Sequence, residues 1–341
     1  MNSELWIALT PIVLLAVILH YMPLWRRQNL WFGVTVPQGF RDTAEARQIL
    51  RQYRIRVWVL SAIAALIGLL ASTRSLVWLL PGAILVSTFA SIIVFAMARS
   101  RTLPYSTPVA ARSAPLTPDT EALPGGTAVA LGPFGMMLAA ALYLHANWQQ
   151  IPARFPIHWG GSGTPDRWAD KSWLTVYGPL LAGALLNLFI LFMGEAILRF
   201  SPRARVANTA EWTARFRRVN VRLLVVVTWN VALILTWFAV LPLIANNKAI
   251  GLSWLIPVVL TLGTIAPFIW QLIRLSQEAG TGSDGTPDRA WKLGQFYYNP
   301  DDPALLVEKR FGIGYTLNFG NRASWWLLGL LLVPVVVLAL T

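Results

Sequence analysis

The chain has 341 residues, of which 56% are hydrophobic and only 13% are charged. This composition excludes an ordinary soluble domain of the same length, because a water-facing surface needs more charge, and it predicts an integral membrane protein. The net charge of +13 would suggest a nucleic-acid partner in a soluble protein, but a membrane protein uses basic loops to set its topology, so we predict no such partner. With no cysteine, disulfides and thiol chemistry are excluded.

Eight apolar segments approach the roughly 20 residues that a helix needs to cross a bilayer core about 30 Å thick. Their residues are continuously apolar rather than alternating, which favours helices. We therefore predict an all-α integral membrane protein with about eight transmembrane helices and a small cytoplasmic irregular or β appendage. The predicted spans are Trp6–Leu24, Val57–Thr73, Leu76–Ala98, Leu131–Trp148, Val176–Leu198, Leu223–Ile244, Leu252–Ile273 and Ser324–Leu340.

The basic residues predict the orientation of these spans. If the spans alternate and the amino terminus lies outside, the inner loops hold 23 of the 28 Lys and Arg residues. Such a bias is typical of the cytoplasmic side of a membrane. We predict a multi-pass protein of the bacterial cytoplasmic membrane with both termini extracytoplasmic.

The order of segments predicts five regions. Residues 1–98 form an N-terminal module of three spans with a basic cytoplasmic loop, in which Asp42 or Thr43 begins a helix that touches anionic lipid headgroups. Residues 99–130 are a Pro-rich linker, and residues 131–275 are a membrane core. Residues 276–323 hold a Gly-rich cytoplasmic linker and a C-terminal module, in which 305–307 and 314–319 could form a hairpin. We predict that this module meets residues 31–37. Residues 324–341 contain the last span.

Few polar residues interrupt the spans. Gly183, Asn187, Leu191 and Glu195 follow at steps of four, which predicts a small and polar helix face that looks into the bundle. We expect Glu195 to pair with Arg199, and a proton- or ion-coupling role is the alternative. Asn230 and Gln271 are predicted to form hydrogen bonds between helices.

The most distinctive stretch is IPARFPIHWGGSGTPDRWADK at residues 151–171, a polar loop between two spans. Its prolines and glycines predict a short, ordered loop on the extracytoplasmic surface of the cytoplasmic membrane. His158 can pair with Asp166 or Asp170, which would make the loop sensitive to external pH. Three interpretations remain open, namely hydrogen bonds that fix the loop, recognition of a ligand or peptide, and a metal site formed with His145, for which two histidines thirteen residues apart are weak support.

The same stretch resembles the signature of a bacterial membrane family of unknown function that includes the SdpI-like immunity proteins. The matching residues are Pro152, Pro156, His158, Gly163, Pro165, Asp166 and Lys171. The resemblance implies a polytopic membrane protein that binds an extracellular toxic peptide and can hold a cytoplasmic regulator at the membrane. The expected ligand-binding residues are His158, Asp166, Arg167, Trp168 and Lys171.

A second stretch, residues 291–325, is similar to an uncharacterised C-terminal module found in relatives of that family. The matching residues are Tyr298, Asn299, Pro300, Asp302, Pro303, Lys309, Arg310, Gly312, Gly314, Asn318 and Gly320. Within the signatures we expect structural roles for Pro152, Pro156, Gly163, Pro165, Asn299, Pro300, Asp302, Pro303, Arg310, Gly312, Gly314 and Asn318.

These observations predict an immunity- or sensor-type protein that recognises an extracytoplasmic peptide or envelope signal through the outer loop. Its expected partners are the lipid bilayer, such a peptide and a cytoplasmic regulator. A small-molecule or ion transporter is the first alternative, and a membrane-embedded enzyme is the second. The sequence has no P-loop, zincin or nucleophile-elbow motif, so we assign no catalytic residue, no metal and no cofactor.

Overall fold

The structure is a computed structural model that describes residues 3–25, 27–73, 79–108, 122–159, 164–201, 207–245, 255–278 and 284–340. Long helices dominate the described residues. They are α1 Ser3–Tyr21, α2 Ala44–Thr73, α3 Leu79–Thr102, α4 Gly126–Ala146, α5 Trp173–Phe200, α6 Ala207–Ala245, α7 Leu255–Glu278 and α8 Arg322–Leu340. Residues 109–121 of the predicted Pro-rich linker lie outside the described residues.

Six stretches of the described helices are long and apolar enough to cross a membrane. They are Ala44–Leu70, Ile84–Tyr105, Gly126–Ala146, Trp173–Phe200, Glu211–Ile244 and Leu255–Glu278. Two further apolar helical stretches, Leu9–Trp25 and Arg322–Val337, are shorter. The mostly helical membrane fold is therefore confirmed, whereas the count of eight spans stays a prediction.

Short strands form four antiparallel hairpins among the described residues. Strands β1 and β2 are Leu30–Trp31 and Val34–Thr35, and β3 and β4 are Arg154–Trp159 and Pro165–Asp170. Strands β5 and β6 are Trp291–Lys292 and Phe296–Tyr297, and β7 and β8 are Leu306–Glu308 and Tyr315–Leu317. The hairpin predicted in the C-terminal module is present as β7–β8.

The chain divides into two compact units. The first unit comprises Met1–Pro115, Ala204–Trp212 and Leu272–Asn321. Its hydrophobic core combines residues of α1, α2 and α3 with the β1–β2 hairpin. Helix α2 begins where predicted, because the Thr43 hydroxyl accepts a hydrogen bond from the Ala46 N–H at 3.2 Å. The buried Tyr53 hydroxyl of α2 donates to the Leu19 carbonyl of α1 at 3.1 Å.

Two tight turns meet inside the first unit. Phe32 and Gly33 link β1 to β2 with φ values of 44° and 71°, and Leu293 and Gly294 follow β5 with φ values of 51° and 75°. A Cβ atom on Gly33 would lie 2.8 Å from the Gly294 carbonyl oxygen, so the two backbones approach too closely for any side chain there. The predicted contact between residues 31–37 and the C-terminal module is therefore confirmed.

The second unit comprises Leu116–Arg203, Thr213–Gln271 and Arg322–Thr341. Its core is built from α4, α5, α6 and the base of the β3–β4 hairpin. The predicted interhelical role of Asn230 is confirmed, because its Nδ2 atom on α6 donates to Thr264 Oγ1 on α7 at 3.1 Å. Gln271 is exposed on α7, and its hydrogen bond to another helix stays a prediction.

The polar stripe of α5 differs in part from its prediction. Gly183 and Asn187 are buried as expected, and a Cβ atom on Gly183 would lie 2.6 Å from Leu235 Cδ1 of α6. The buried face continues through Gly194 rather than Glu195, because steps of four residues drift around a helix of 3.6 residues per turn. Glu195 instead forms the expected ion pair with Arg199 at 2.9 Å.

Candidate functional site

The loop at residues 151–171 folds as the β3–β4 hairpin between α4 and α5. Phe155 pairs with Ala169 and Pro156 pairs with Trp168, and the register shifts around Ile157. A shift of this kind is a bulge, which bends the strand and redirects the side chains that follow. The turn at residues 160–163, which includes the signature residue Gly163, lies outside the described residues.

The base of the hairpin is fixed by Lys171. Its ammonium group donates to the Trp148 carbonyl at 2.7 Å and to the Ile151 carbonyl at 3.2 Å. The same ammonium lies 4.9 Å from the centroid of the Trp148 ring, a cation–π distance. Lys171 therefore holds the segment that follows α4 against the end of β4, and its ammonium group is bound by groups of the protein itself.

The start of α5 closes the other side of the base. Ser172 Oγ accepts from the Thr175 N–H at 3.1 Å, and Thr175 Oγ1 accepts from the Ser172 N–H at 3.0 Å, which forms a reciprocal helix cap. Thr175 Oγ1 also donates to the Asp170 carbonyl at 2.8 Å. The hairpin is consequently held in a fixed direction where it joins the helices on either side.

The outer part of the hairpin presents its predicted ligand-binding residues to solvent. His158 Nδ1 lies 2.5 Å from Asp166 Oδ1, and both side chains are more than half exposed. The structure thus selects Asp166, rather than Asp170, as the partner of His158. Arg167 is exposed next to this pair, and Trp168 is 38% exposed.

Strand β4 has an open edge. Within the described part of the chain it pairs only with β3. The Lys171 N–H donates to the Ala153 carbonyl at 2.8 Å, and antiparallel strands alternate the direction of successive backbone groups. The N–H and C=O groups of Trp168, three residues earlier, therefore point away from β3.

An apolar cavity lies behind the hairpin, within the second unit. Its volume is about 70 Å³. A cavity of about 150 Å³ can hold a benzene ring, so this cavity suits a short aliphatic side chain. It is lined by Leu144, Ile151, Phe155, Pro156, Ile157, Trp159, Thr175, Val176, Pro179, Phe238, Ala239 and Pro242.

Aromatic rings flank the base of the hairpin. Trp148 stacks on Trp173 with ring centroids 4.8 Å apart, and Trp173 stacks on Tyr177 at 5.2 Å. The aromatic stack suits an interfacial position, where indole rings bury their apolar bodies.

The two histidines of the metal-site interpretation have different neighbours. The His145 ring lies 6.0 Å from the Trp173 ring, whereas His158 contacts Asp166. No group of three or more potential metal-binding His, Cys, Asp or Glu side chains occurs among the described residues.

The second signature organises the C-terminal module around Asn318, which is fully buried. Its Nδ2 atom donates to the carbonyls of Asn299, Asp302 and Ala304 at 2.9, 2.9 and 3.1 Å. Its Oδ1 atom accepts from the N–H groups of Asn299 and Gly320, both at 3.0 Å. One amide side chain therefore fixes the turn that contains Pro300 and Pro303.

Arg310 links this module to the rest of the first unit. Its side chain is fully buried, Nε lies 2.6 Å from Asp284 Oδ2, and Nη1 bonds Asp288 Oδ1. Nη1 also donates to the Gly33 carbonyl at 3.0 Å. Arg99 of α3 donates to the same carbonyl at 2.6 Å and to the Asp288 carbonyl at 2.8 Å. We call Arg99, Asp284, Asp288 and Arg310 the junction.

The electrostatics of the junction favour its charged form. Burial alone would raise the pKa of Asp284, but the Arg310 guanidinium and hydrogen bonds from Arg310 and Thr286 lower it to about 2. Burial opposes the charge of Arg310, yet the two carboxylates outweigh it and raise the pKa of Arg310.

Gly312 and Gly314 follow Arg310 in the turn between β7 and β8, with φ values of 79° and 91°.

Sequence reasoning missed three residues of the junction. Asp284 and Asp288 fall in the segment predicted as a Gly-rich linker. Arg99 entered the prediction only as one of the basic residues that set the orientation of the spans. Asp284 and Asp288 precede Arg310 by 26 and 22 residues, so no local sequence pattern links these carboxylates to it. Pairing them required the fold, because Arg99 lies 189 residues from Asp288 in sequence.

Comparison with known families gives two partial matches. A domain of unknown function, DUF1648, matches residues 135–183, which contain the β3–β4 hairpin. A family of unknown function, DUF5808, matches residues 300–325 in the C-terminal module. No curated protein and no solved structure matches the chain. Both matches fit an uncharacterised family, at the two stretches whose signatures the sequence carries.

Proposed function

We propose that the protein is an immunity- or sensor-type membrane protein that recognises an extracytoplasmic peptide through the β3–β4 hairpin. The observation that carries this proposal is the open edge of β4 beside exposed Arg167 and Trp168. Unpaired strand edges bind extended peptides through main-chain hydrogen bonds. Tryptophan and arginine are the residue types that most often dominate binding energy in protein interfaces.

The rigidity of the hairpin base supports the same role. Lys171, Ser172 and Thr175 are all bonded at the point where the strands meet the helices. A site held in its binding conformation loses less conformational entropy when a ligand binds. The apolar cavity behind Phe155 offers a place for one aliphatic side chain of the peptide.

A deletion strain tests the proposal. We would measure its growth and transcriptome against a panel of membrane-active peptides, and then restore it with the wild type, Trp168→Ala or Trp326→Ala. Trp326 is 82% exposed on α8 and serves as the matched control. We expect the wild type and the control to restore peptide resistance or the transcriptional response, and Trp168→Ala to fail at equal membrane abundance.

Full restoration of peptide resistance or of the transcriptional response by Trp168→Ala would contradict the proposed role of the hairpin in recognition. A deletion strain that responds to every peptide as the parent does would reject the immunity and peptide-sensing roles together.

A transporter is a second candidate, because of Asn187. This side chain is fully buried in α5, and neither amide atom has a hydrogen-bond partner among the described residues. Unpaired polar groups inside a membrane protein are costly and often mark a substrate path. A transporter would lose uptake in proteoliposomes when Asn187 is replaced by Leu, whereas a recognition protein would keep its peptide response.

A further inference from the structure

Helix α2 has two contrasting sides over its first four turns. One side is buried in the core of the first unit through Ala46, Ile49, Tyr53 and Val57. The rotation of the helix is thereby fixed. The neighbouring side of the helix lines an open groove with a volume of about 520 Å³, in which only Leu50 packs against the core. The lining residues are Arg47, Leu50, Arg51, Arg54, Ile55, Trp58 and Val59.

The groove changes from basic to apolar along the helix. Its three arginines precede Ile55, Trp58 and Val59, which are 52%, 43% and 52% exposed. The rise of 1.5 Å per residue places Arg47 and Arg54 about 10 Å apart along the axis. The headgroup layer of a bilayer is roughly 5–8 Å thick on each side. Arg51 and Arg54, about 4.5 Å apart along the axis, therefore fit within this layer, Arg47 lies on its aqueous side, and the apolar end matches the start of the acyl region.

Backbone carbonyls, rather than carboxylates, hold two of the three arginines in place. Arg47 donates to the carbonyls of Asp42 and Thr43 at 2.9 and 3.3 Å, and Arg54 donates to the His20 carbonyl at 3.2 Å. Within the described ranges none of the three forms an ion pair with an acidic side chain. Their positive charges remain uncompensated on the protein side of the groove.

The apolar end is positioned as well. Trp58 Nε1 donates to His20 Nδ1 at 3.1 Å, which satisfies the indole N–H and fixes the ring beside the end of α1. A fixed indole between cationic and aliphatic groups offers a rigid wall to a lipid chain.

We propose that this groove is a binding site for one anionic glycerophospholipid. The phosphate lies against Arg51 and Arg54, Arg47 approaches it from the aqueous side, and an acyl chain runs along Ile55, Trp58 and Val59. The charge of the headgroup is complementary to the arginines, and the chain covers apolar surface that the protein leaves exposed.

Native mass spectrometry of the full chain in detergent tests the site, with phosphatidylglycerol and phosphatidylcholine titrated separately. We expect phosphatidylglycerol to bind in preference to phosphatidylcholine. One arginine at a membrane surface is worth about 1 kcal/mol, which corresponds to about fivefold in affinity. Arg51→Gln, which removes no intramolecular hydrogen bond, should therefore weaken phosphatidylglycerol binding about fivefold, and the Arg47→Gln/Arg51→Gln/Arg54→Gln variant about a hundredfold.

A second triple variant, Arg101→Gln/Arg215→Gln/Arg222→Gln, removes the same charge from exposed arginines on other helices. It should retain phosphatidylglycerol as the wild type does. Equal losses in the two triple variants, or equal binding of both lipids by the wild type, would overturn the proposal. Soluble glycerophosphate should not displace the lipid, and displacement at equal concentration would show a simple anion site instead.

Discussion

Replacing Arg310 by Ala tests whether the junction holds the C-terminal module to the rest of the first unit. The Arg310 side chain is fully buried, while the side chains of Asp284 and Asp288 are only 10% and 14% exposed. The substitution removes the cation but leaves both carboxylates in place. It also removes donors from the carbonyls of Gly33 and Thr286.

The structure sets the size of the effect. Removing one partner from a buried ion pair typically costs about 3–5 kcal/mol, because the remaining charge stays desolvated. Two carboxylates lose their cation here, so we expect about 4 kcal/mol. Since about 1.4 kcal/mol corresponds to a factor of ten, local opening of the module should become about a thousandfold more frequent.

Hydrogen exchange measures this opening directly. The Lys309 N–H donates to the Gly314 carbonyl and the Asn318 N–H donates to the Leu305 carbonyl, both at 2.9 Å, so these amides report on β7 and β8. We expect their exchange to accelerate about a thousandfold in Arg310→Ala, while amides of β3 and β4 in the second unit are unchanged.

Arg289→Ala is the matched control, because Arg289 is exposed and adjacent to Asp288. It should leave the exchange of β7 and β8 as in the wild type. An acceleration of less than about tenfold in Arg310→Ala would refute the role assigned to the junction. Equal acceleration in β3 and β4 would indicate general unfolding rather than release of the module.

Three further predictions concern stability. Asn187→Leu should raise the free energy of unfolding by about 1–3 kcal/mol, since it removes an unpaired buried amide, and a lower melting temperature in detergent would contradict this. The lowered pKa of Asp284 stabilises the folded state above the ordinary carboxyl pKa of 3.8, and this contribution should disappear as the pH falls towards 2, as measured by exchange of the C-terminal module; Asp284→Asn should remove that dependence. Gly320→Ala should cost about 1–3 kcal/mol, because its Cβ would lie 2.6 Å from the Asn299 carbonyl carbon, whereas Gly263→Ala has open space and should be neutral in the same thermal assay.

Apolar runs were sufficient to predict the helical segments. Each of the eight predicted spans overlaps a described helix, because about 20 continuous apolar residues leave the backbone no solvent partner in a bilayer except itself. Local signals also predicted the start of α2 at Thr43 and the pairing of Glu195 with Arg199, since both contacts join residues three or four positions apart. The prolines and glycines of residues 151–171 indicated an ordered loop, and the described part of this loop is a hairpin in which His158 contacts Asp166.

Only the tertiary structure decided the long-range contacts. Gly33 and Arg310 are 277 residues apart in sequence, and nothing local indicates that a glycine carbonyl on a β-turn would accept from that guanidinium. Helix periodicity predicted that Asn187 faces the bundle, but only the packing around α5 left its amide without a hydrogen-bond partner among the described residues. Helix periodicity and hydropathy are local properties of the chain, whereas the partners of a buried charge or amide depend on which distant elements pack around it.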